Sequence, residues 1–313
     1  MDSEKILKIV EELGQKEIKE KFKYISPQKQ KDFVEQINFL DKACRGRLKD
    51  YLKRAKVLLE DSKNRVNAFH EYKIKIPDDI PHIDIGSEEF YELDQLGFGH
   101  LKDTDFTLVA GGLGERLEYT GIKIGLQNEL ITLLTYIDVY TDFMKAYENR
   151  IRKKEKMPID WFIPFCIMTS DDTHDQKISL LKEQNNFGMR TNQIIKVKQD
   201  KIPAIADNEC HLSLKEDKFL LEIKPHGHGD NHYLLYKSGK AKQWVQEGKK
   251  YMVLFMDTYV LAFNCIPVSI GSSVKYGFDV NSVAVPRRAK DVIGIICKLL
   301  FYFQINTYIY IVN

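Results

Sequence analysis

The chain is poor in cysteine. Of 313 residues only Cys44, Cys166, Cys210, Cys265 and Cys297 are cysteines, an odd number, widely spaced and without a Cys-x-x-Cys pair. That excludes a disulfide-stapled secreted scaffold and a structural zinc site, and it points to thiols kept reduced. An excess of either charge is also missing: 47 Lys and Arg stand against 45 Asp and Glu, a net charge of +2, with the two signs interleaved. A bulk electrostatic partner, nucleic acid or anionic membrane, is therefore not expected. The first residues, MDSEKILKIVEELG, are charged and helical in pattern rather than a secretory leader, so a cytoplasmic protein is expected. No internal repeat or low-complexity segment occurs. Long apolar runs are absent except at the end, LLFYFQINTYIYIVN from Leu299. Lys298, Gln304, Asn306 and Thr307 interrupt it, so it reads as a terminal strand or as residues foreign to the fold rather than a membrane anchor.

Apolar residues make up 43% of the chain and charged residues 29%, a globular composition long enough for about two domains. Residues 1–100 read as a helical N-terminal region. Ser26-Pro27 has the form of a helix start, with Ser as N-cap and Pro at the first helical position. Phe33, Ile37 and Leu40 then make one apolar face, and Leu48, Leu52, Ala55, Leu58 and Leu59 a second. Ile76 to Gly86, with two prolines, reads as a connection. From Phe106 the pattern changes. Strand-like runs at Phe106–Val109, Phe162–Met168, Gln193–Val197 and Tyr251–Phe255 alternate with helical stretches near Ile131–Tyr147, His174–Gln184 and His232–Gln246. This predicts an α/β fold: an open, mostly parallel sheet with helices on both faces. In such sheets ligands lie beyond the carboxyl ends of the strands.

At those ends stand the residues that could carry chemistry. Phe106 to Leu117 reads FTLVAGGLGERL. A buried strand, three glycines (Gly111, Gly112, Gly114) and a helix start at Glu115-Arg116-Leu117 would form an anion cradle, because backbone N–H groups and the helix dipole favour phosphate and glycine permits its close approach. Arg116 adds a guanidinium fork. The stretch is neither a P-loop, since no Gly-Lys-Ser/Thr follows, nor the G-x-G-x-x-G dinucleotide fingerprint. A ligand-free strand-to-helix turn remains the bland alternative. Lys123, in GIKIGL, could neutralise phosphoryl charge or be a surface lysine. Thr169 and Ser170 end a strand, with Asp171 or Asp172 expected to cap the next helix. Gln199 offers a donor and an acceptor that match the imide edge of uracil, though it could be an ordinary loop residue. Lys224 to Asp230, KPHGHGD, suits a backbone platform for a base better than a His-x-His zinc site, because no further ligand lies at metal spacing. Asp257 ends the last strand, where Mg²⁺ bound through one carboxylate and substrate phosphates would sit. Asn281 and the basic run from Arg287 to Lys290 could meet a phosphate or be solvated. His70, His82 and His100 show no ligand spacing and are left out of the site.

Taken together, LVAGGLGERL, GIKIGL, IMTSDDTH, VKQDKIP, KPHGHGDNH, the Asp-Thr of FMDT and VNSVAVPRRAK resemble the UDP-sugar pyrophosphorylase family in order and spacing, over roughly residues 25–298. The resemblance implies a Rossmann-like, GT-A-like nucleotidyltransferase sheet spanning 101–298, with 299–313 as an atypical tail and a C-terminal β-helical domain missing from a truncated chain. It implies a uridylyltransferase: UTP and a sugar 1-phosphate give a UDP-sugar and pyrophosphate across a broad range of sugars, with Mg²⁺ or Mn²⁺. By the same resemblance Gly111, Gly112, Gly114 and Arg116 hold the UTP phosphates and Lys123 stabilises the transition state. Thr169, Ser170, Gln199, Gly227 and His228 contact the nucleotide, Asn281 meets the sugar phosphate and Asp257 holds the metal. No nucleic acid, membrane or obligate protein partner is implied. Two departures border the site: Tyr259-Val260 stand where the family has Asn-Gly, and Gln127-Asn128-Glu129-Leu130 where it has a proline and a threonine-rich run. A UTP-binding fragment without turnover is the alternative.

Overall fold

The computed structural model describes residues 3–312 apart from 45, 78–79, 113, 115–117, 285–287, 289, 292–294 and 302–306. In chain order the elements are α1 (Ser3–Glu12), α2 (Lys16–Phe22), α3 (Pro27–Ala43), α4 (Arg47–Lys63), β1 (Tyr72–Lys75), α5 (Glu88–His100), β2 (Thr104–Val109), α6 (Tyr136–Glu155), β3 (Phe165–Thr169), α7 (His174–Glu183) and β4 (Ile194–Lys198). There follow β5 (Lys201–Pro203), β6 (Leu214–Lys215), β7 (Leu220–Leu221), β8 (Ile223–Pro225), α8 (Asp230–Lys237), α9 (Lys240–Gln246), β9 (Tyr251–Met256), α10 (Ile266–Tyr276), β10 (Ile295–Phe301) and β11 (Thr307–Val312). They fall into two compact units, one of residues 1–60 and 99–266, the other of 61–98 and 267–313. The chain passes between them three times, after residues 60, 98 and 266. The first four helices belong to the sheet-bearing unit, because their apolar faces find cover there.

The first unit is built on a parallel sheet in the order β4-β3-β2-β9. Side chains alternate between its faces. Phe106, Phe165 and Phe255 meet Tyr140 and Tyr147 of α6 and Phe263 in one aromatic cluster. On the other face Val109, Cys166, Met168 and Val197 pack with Leu234, Leu235 and Trp244 of α8 and α9. The helical stretch expected at His232–Gln246 is thus two helices, broken at Gly239, whose φ is +74°. The strand order reverses between β2 and β9, so the crevice beyond their carboxyl ends is the switch point of the sheet.

The N-terminal helices start as the sequence predicts. Ser26 caps α3, its Oγ accepting from the Lys29 N–H at 3.4 Å. Phe33, Ile37, Leu40, Leu48 and Leu52 are buried, whereas Leu58 is exposed. Their core includes Phe219, Leu212 and Leu221 from the β6–β7 region, with Phe22, Phe33 and Phe219 in mutual ring contact. Two side-chain amides tie the layers. Gln15 donates to the Cys210 carbonyl and accepts from Leu212 N–H at 2.9 and 2.8 Å, and Gln36 does the same to both backbone groups of Leu221. Tyr51 donates to the Pro203 carbonyl. The helical layer thereby holds the antiparallel pair β5–β8, whose two ends carry Gln199 and Gly227.

In the second unit β1, β10 and β11 form an antiparallel sheet. The described parts of the aromatic tail, 299–301 and Thr307–Val312, are thus strand, as alternating β-branched and aromatic residues favour. No described helix is long and apolar enough to cross a membrane. Helices α5 and α10 touch backbone to backbone. A Cβ added at Gly97 would lie 1.7 Å from the Pro267 carbonyl oxygen, and one at Gly271 would lie 2.0 Å from that of Leu93.

Gly97→Ala is therefore expected to force the two helices apart and to destabilise the second unit by about 2–3 kcal/mol in a urea titration. An unchanged midpoint would remove the contact. A second expectation concerns Asp105, which is buried on β2 with one carboxylate oxygen unpartnered among the described residues. Burial pushes its carboxyl up to about 7, and Lys249 opposes the shift only partly. Between the unfolded value near 4 and about 7 the folded chain binds more protons than the unfolded one. Stability attributable to Asp105 is thus present below pH 4 and lost as the pH rises to 7. Asp105→Asn should flatten that slope and stabilise the protein at pH 8 by about 2–4 kcal/mol, read from melting curves across that range.

Candidate functional site at the switch point of the sheet

The glycine turn leaves β2 at Ala110. Ala110 still pairs with β3, donating its N–H to the Met168 carbonyl at 3.2 Å. Gly111 and Gly112 follow, and neither donates its N–H to the carbonyl of a described residue. The turn is close-packed from two sides. A Cβ at Gly111 would meet Gln199 Oε1 at 3.2 Å and Met168 Cε at 3.3 Å, and one at Gly112 would meet Lys123 Nζ at 3.4 Å. At Gly114 the obstacle is the Tyr119 carbonyl oxygen at 2.7 Å. Arg116 and the expected helix start at 115–117 lie outside the described residues.

Lys123 opens a short 3-10 turn and reaches across the mouth of β2 to the end of β9. Its ammonium bridges both carboxylate oxygens of Asp257, at 3.1 and 3.2 Å. Asp257 is buried, whereas the Lys123 side chain is 21% exposed, so the cation faces the crevice and the anion lies behind it. Tyr140 of α6 positions this end of β9, donating to the Met256 carbonyl at 3.2 Å and accepting from the Tyr259 N–H at 2.8 Å.

Gln199 is buried and touches three segments. Its N–H donates to the Thr169 carbonyl, its Nε2 donates to the Gly227 carbonyl at 2.7 Å, and its Oε1 packs against Gly111. The acceptor Oε1 therefore remains for a ligand donor. Gly227 has a φ of +101°, which a side chain would strain, and this turn sets the platform beside it. His228 borders a cavity of about 250 Å³ with Val109, Asn231, Leu254 and Met256. His226 is held by Asp230, its Nδ1 lying 3.0 Å from the carboxylate, and no group of three His, Cys, Asp or Glu residues forms a metal cluster among the described residues.

Thr169 and Ser170 stand at the carboxyl end of β3 but are buried, with their hydroxyls engaged inside the protein. Thr169 Oγ1 lies 2.8 Å from His174 Nδ1, and Ser170 Oγ lies 3.1 Å from Thr173 Oγ1. Asp171 and Asp172 do not cap α7. Thr173 occupies the cap position, and the two carboxylates pair with Lys198 and Lys201 at 2.6 and 2.8 Å. Asn281 belongs to the other unit, where its amide donates to the Ser269 carbonyl at 2.8 Å. The basic run after it lies mostly outside the described residues.

Two residues escaped the sequence reading. Lys177 of α7 is fully buried, and its ammonium donates to the Ala110 carbonyl and to Thr173 Oγ1. Burial pushes it down to about 8, with Asp257 raising it and Lys123 lowering it. Asn231 is buried beside His228 with both amide atoms unpartnered among the described residues. Lys177 lies in no motif-like stretch, and Asn231, although within KPHGHGDNH, is marked only by its burial and its unpartnered amide.

The sequence profile of the UTP–glucose-1-phosphate uridylyltransferase family matches residues 54–258. UDP-sugar pyrophosphorylases of Oryza sativa subsp. indica and Arabidopsis thaliana are 39% and 40% identical over 276 and 268 residues, or 88% and 85% of this chain. The chain spans 45% and 44% of their lengths. Among solved structures, the UDP-N-acetylglucosamine pyrophosphorylase of Trypanosoma brucei, in complex with an inhibitor, superposes with a TM-score of 0.75 at 16% identity, over 96% of this chain and 61% of the other, a likeness of fold.

The Lys123–Asp257 pair gives a direct stability test. Lys123→Met leaves a buried carboxylate without its cation and should cost about 2–3 kcal/mol. Adding Asp257→Leu should recover part of that loss, since no unpaired charge then remains. Additive losses in a double-mutant cycle would show that the two side chains are not coupled.

Proposed function

Because the chain belongs to the UTP–glucose-1-phosphate uridylyltransferase family, we propose that its crevice binds UTP and transfers the uridylyl group to a sugar 1-phosphate, giving a UDP-sugar and pyrophosphate. The observation that carries this reading is Lys123, set between the backbone of Gly112 and the buried Asp257 at the switch point of the sheet. One partly exposed cation against a glycine turn is suited to a phosphate chain, and the carboxylate behind it fixes where that cation stands.

The family resemblance supplies the proposed roles. Gly111, Gly112 and Gly114, with Arg116, bind the phosphates through N–H groups and a guanidinium. Gln199, whose Nε2 is committed to Gly227, keeps Oε1 for the imide N–H of uracil. Gly227 and His228 border the nucleoside. Thr169 and Ser170 act from beneath by bracing the end of β3. The sugar phosphate oxygen attacks the α-phosphorus of UTP, the bond from that phosphorus to the β-phosphate oxygen breaks, and pyrophosphate leaves. Lys123 holds the charge that grows on the phosphates, and the chain otherwise orients the reactants. Asp257 is a single buried carboxylate at a strand end beside the phosphate turn. That donor set fits Mg²⁺, or Mn²⁺ in its place, which binds through one or two carboxylates plus phosphates. The metal ion would supply neutralisation of phosphate charge. A broad range of sugar 1-phosphates as substrates and a cytoplasmic setting complete the reading, the latter supported by five cysteines that form no disulfide.

The test is release of pyrophosphate from UTP with a panel of sugar 1-phosphates. Turnover is expected in the wild-type chain, with a loss of about a hundredfold or more in Lys123→Ala and in Asp257→Ala. UTP binding without turnover would replace the transferase reading by a binding one, and absence of UTP binding would overturn both.

A further inference from the structure

A phosphate cradle needs its backbone N–H groups turned outward, and each carbonyl of the same turn then has to face inward and find a donor there. Ala110 is the residue at which β2 becomes the glycine turn. Its N–H is taken by Met168 and its carbonyl by the ammonium of Lys177. Lys177 lies on α7, is 1% exposed and makes no ion pair among the described residues. A buried ammonium without a carboxylate is expensive, so its surroundings must satisfy it.

They do so through the threonine–serine pair that ends β3. Thr173 Oγ1 accepts from the Lys177 ammonium at 2.7 Å and from the Ser170 N–H at 3.2 Å, and it lies 3.1 Å from Ser170 Oγ. A hydroxyl has two acceptor sites and one proton. With both acceptor sites filled, the Thr173 proton points to Ser170 Oγ. The bonds of Ser170, Thr173, Lys177 and Ala110 therefore form one closed chain from the end of β3 to the start of the glycine turn.

We propose that Lys177 is a positioning residue for the phosphate-binding turn, drawing the Ala110 carbonyl inward from beneath so that Gly111 and Gly112 present N–H groups to the crevice, and adding a second positive charge under the phosphates behind that of Lys123. The role rests on the nucleotide reading of the site. It concerns the phosphates alone, because the base platform of Gln199 and Gly227 is held by separate bonds.

The experiment measures binding of UTP and of uridine to the whole chain and to Lys177→Met, which keeps the length of the side chain and removes the donor. The positioning role predicts UTP binding weakened about tenfold or more, uridine binding within about twofold of wild type, and partial recovery of UTP binding in Lys177→Gln, which restores a neutral donor. Should Lys177→Met fail to fold, Lys177→Gln and Lys177→Arg carry the same comparison, with UTP and uridine again expected to separate. Equal loss for both ligands would reduce Lys177 to a structural residue, and unchanged UTP binding in a folded variant would overturn the role while leaving the nucleotide reading intact. A wild-type chain that binds no UTP would overturn both.

Discussion

The amide of Gln199 is the constraint on which the crevice depends. Gln199 follows β4, yet its backbone N–H bonds the end of β3, its Nε2 bonds the platform at Gly227, and its Oε1 packs against the glycine turn after β2. A buried amide left unpaired costs on the order of 1–3 kcal/mol, so these segments keep their relative places or lose that bonding together. The helical layer enters here as well. By holding β5 through Tyr51, and the β6–β7 region through Gln15 and Gln36, it supports the β5–β8 pair beside which the Gln199–Gly227 bond forms.

Around that point the site divides into a part that contacts a ligand and a part that supports it. Lys123 faces the crevice and Asp257 lies behind it. The motif at the end of β3 is supportive, since its hydroxyls are spent inside the protein on His174, Thr173 and Lys177. Parallel sheets leave their strand ends without ladder partners, and polar side chains must finish the hydrogen bonding there. The same requirement that completes the fold thus shapes the crevice. The aromatic cluster on the α6 face needs no such device. Its rings fill the layer by area, and Tyr140 adds one hydroxyl that fixes the turn after β9.

Much of this was legible. Alternation of strand-like and helical runs identified the parallel sheet, with each of the four strands displaced by no more than a few residues. Ser26-Pro27 announced α3, and the periodic apolar faces announced its burial. Gly111, Gly112, Lys123, Gln199 and Asp257 converge because they follow strands of one sheet, which chain order and strand direction are enough to predict, whereas Gly227 follows β8 of a separate antiparallel pair and is joined to them by its bond to Gln199. Leu58 shows the limit of such patterns: it stands beside the stripe of Leu48, Leu52, Ala55 and Leu59 that packs on the core, and is itself exposed.

The sequence by itself therefore determined the class of fold, the motif residues and the end of the sheet at which they gather, because these follow from local periodicity and from the conformational demands of glycine and proline. Only the tertiary structure decided that residues 1–60 join the sheet while 61–98 join the C-terminal strands, that Thr169 and Ser170 are spent internally, and that Asp171 and Asp172 pair with lysines instead of capping α7. It alone brought Lys177 under Ala110, 67 residues apart in the chain. Burial and long-range hydrogen bonding depend on what other segments place nearby, and no local pattern encodes that.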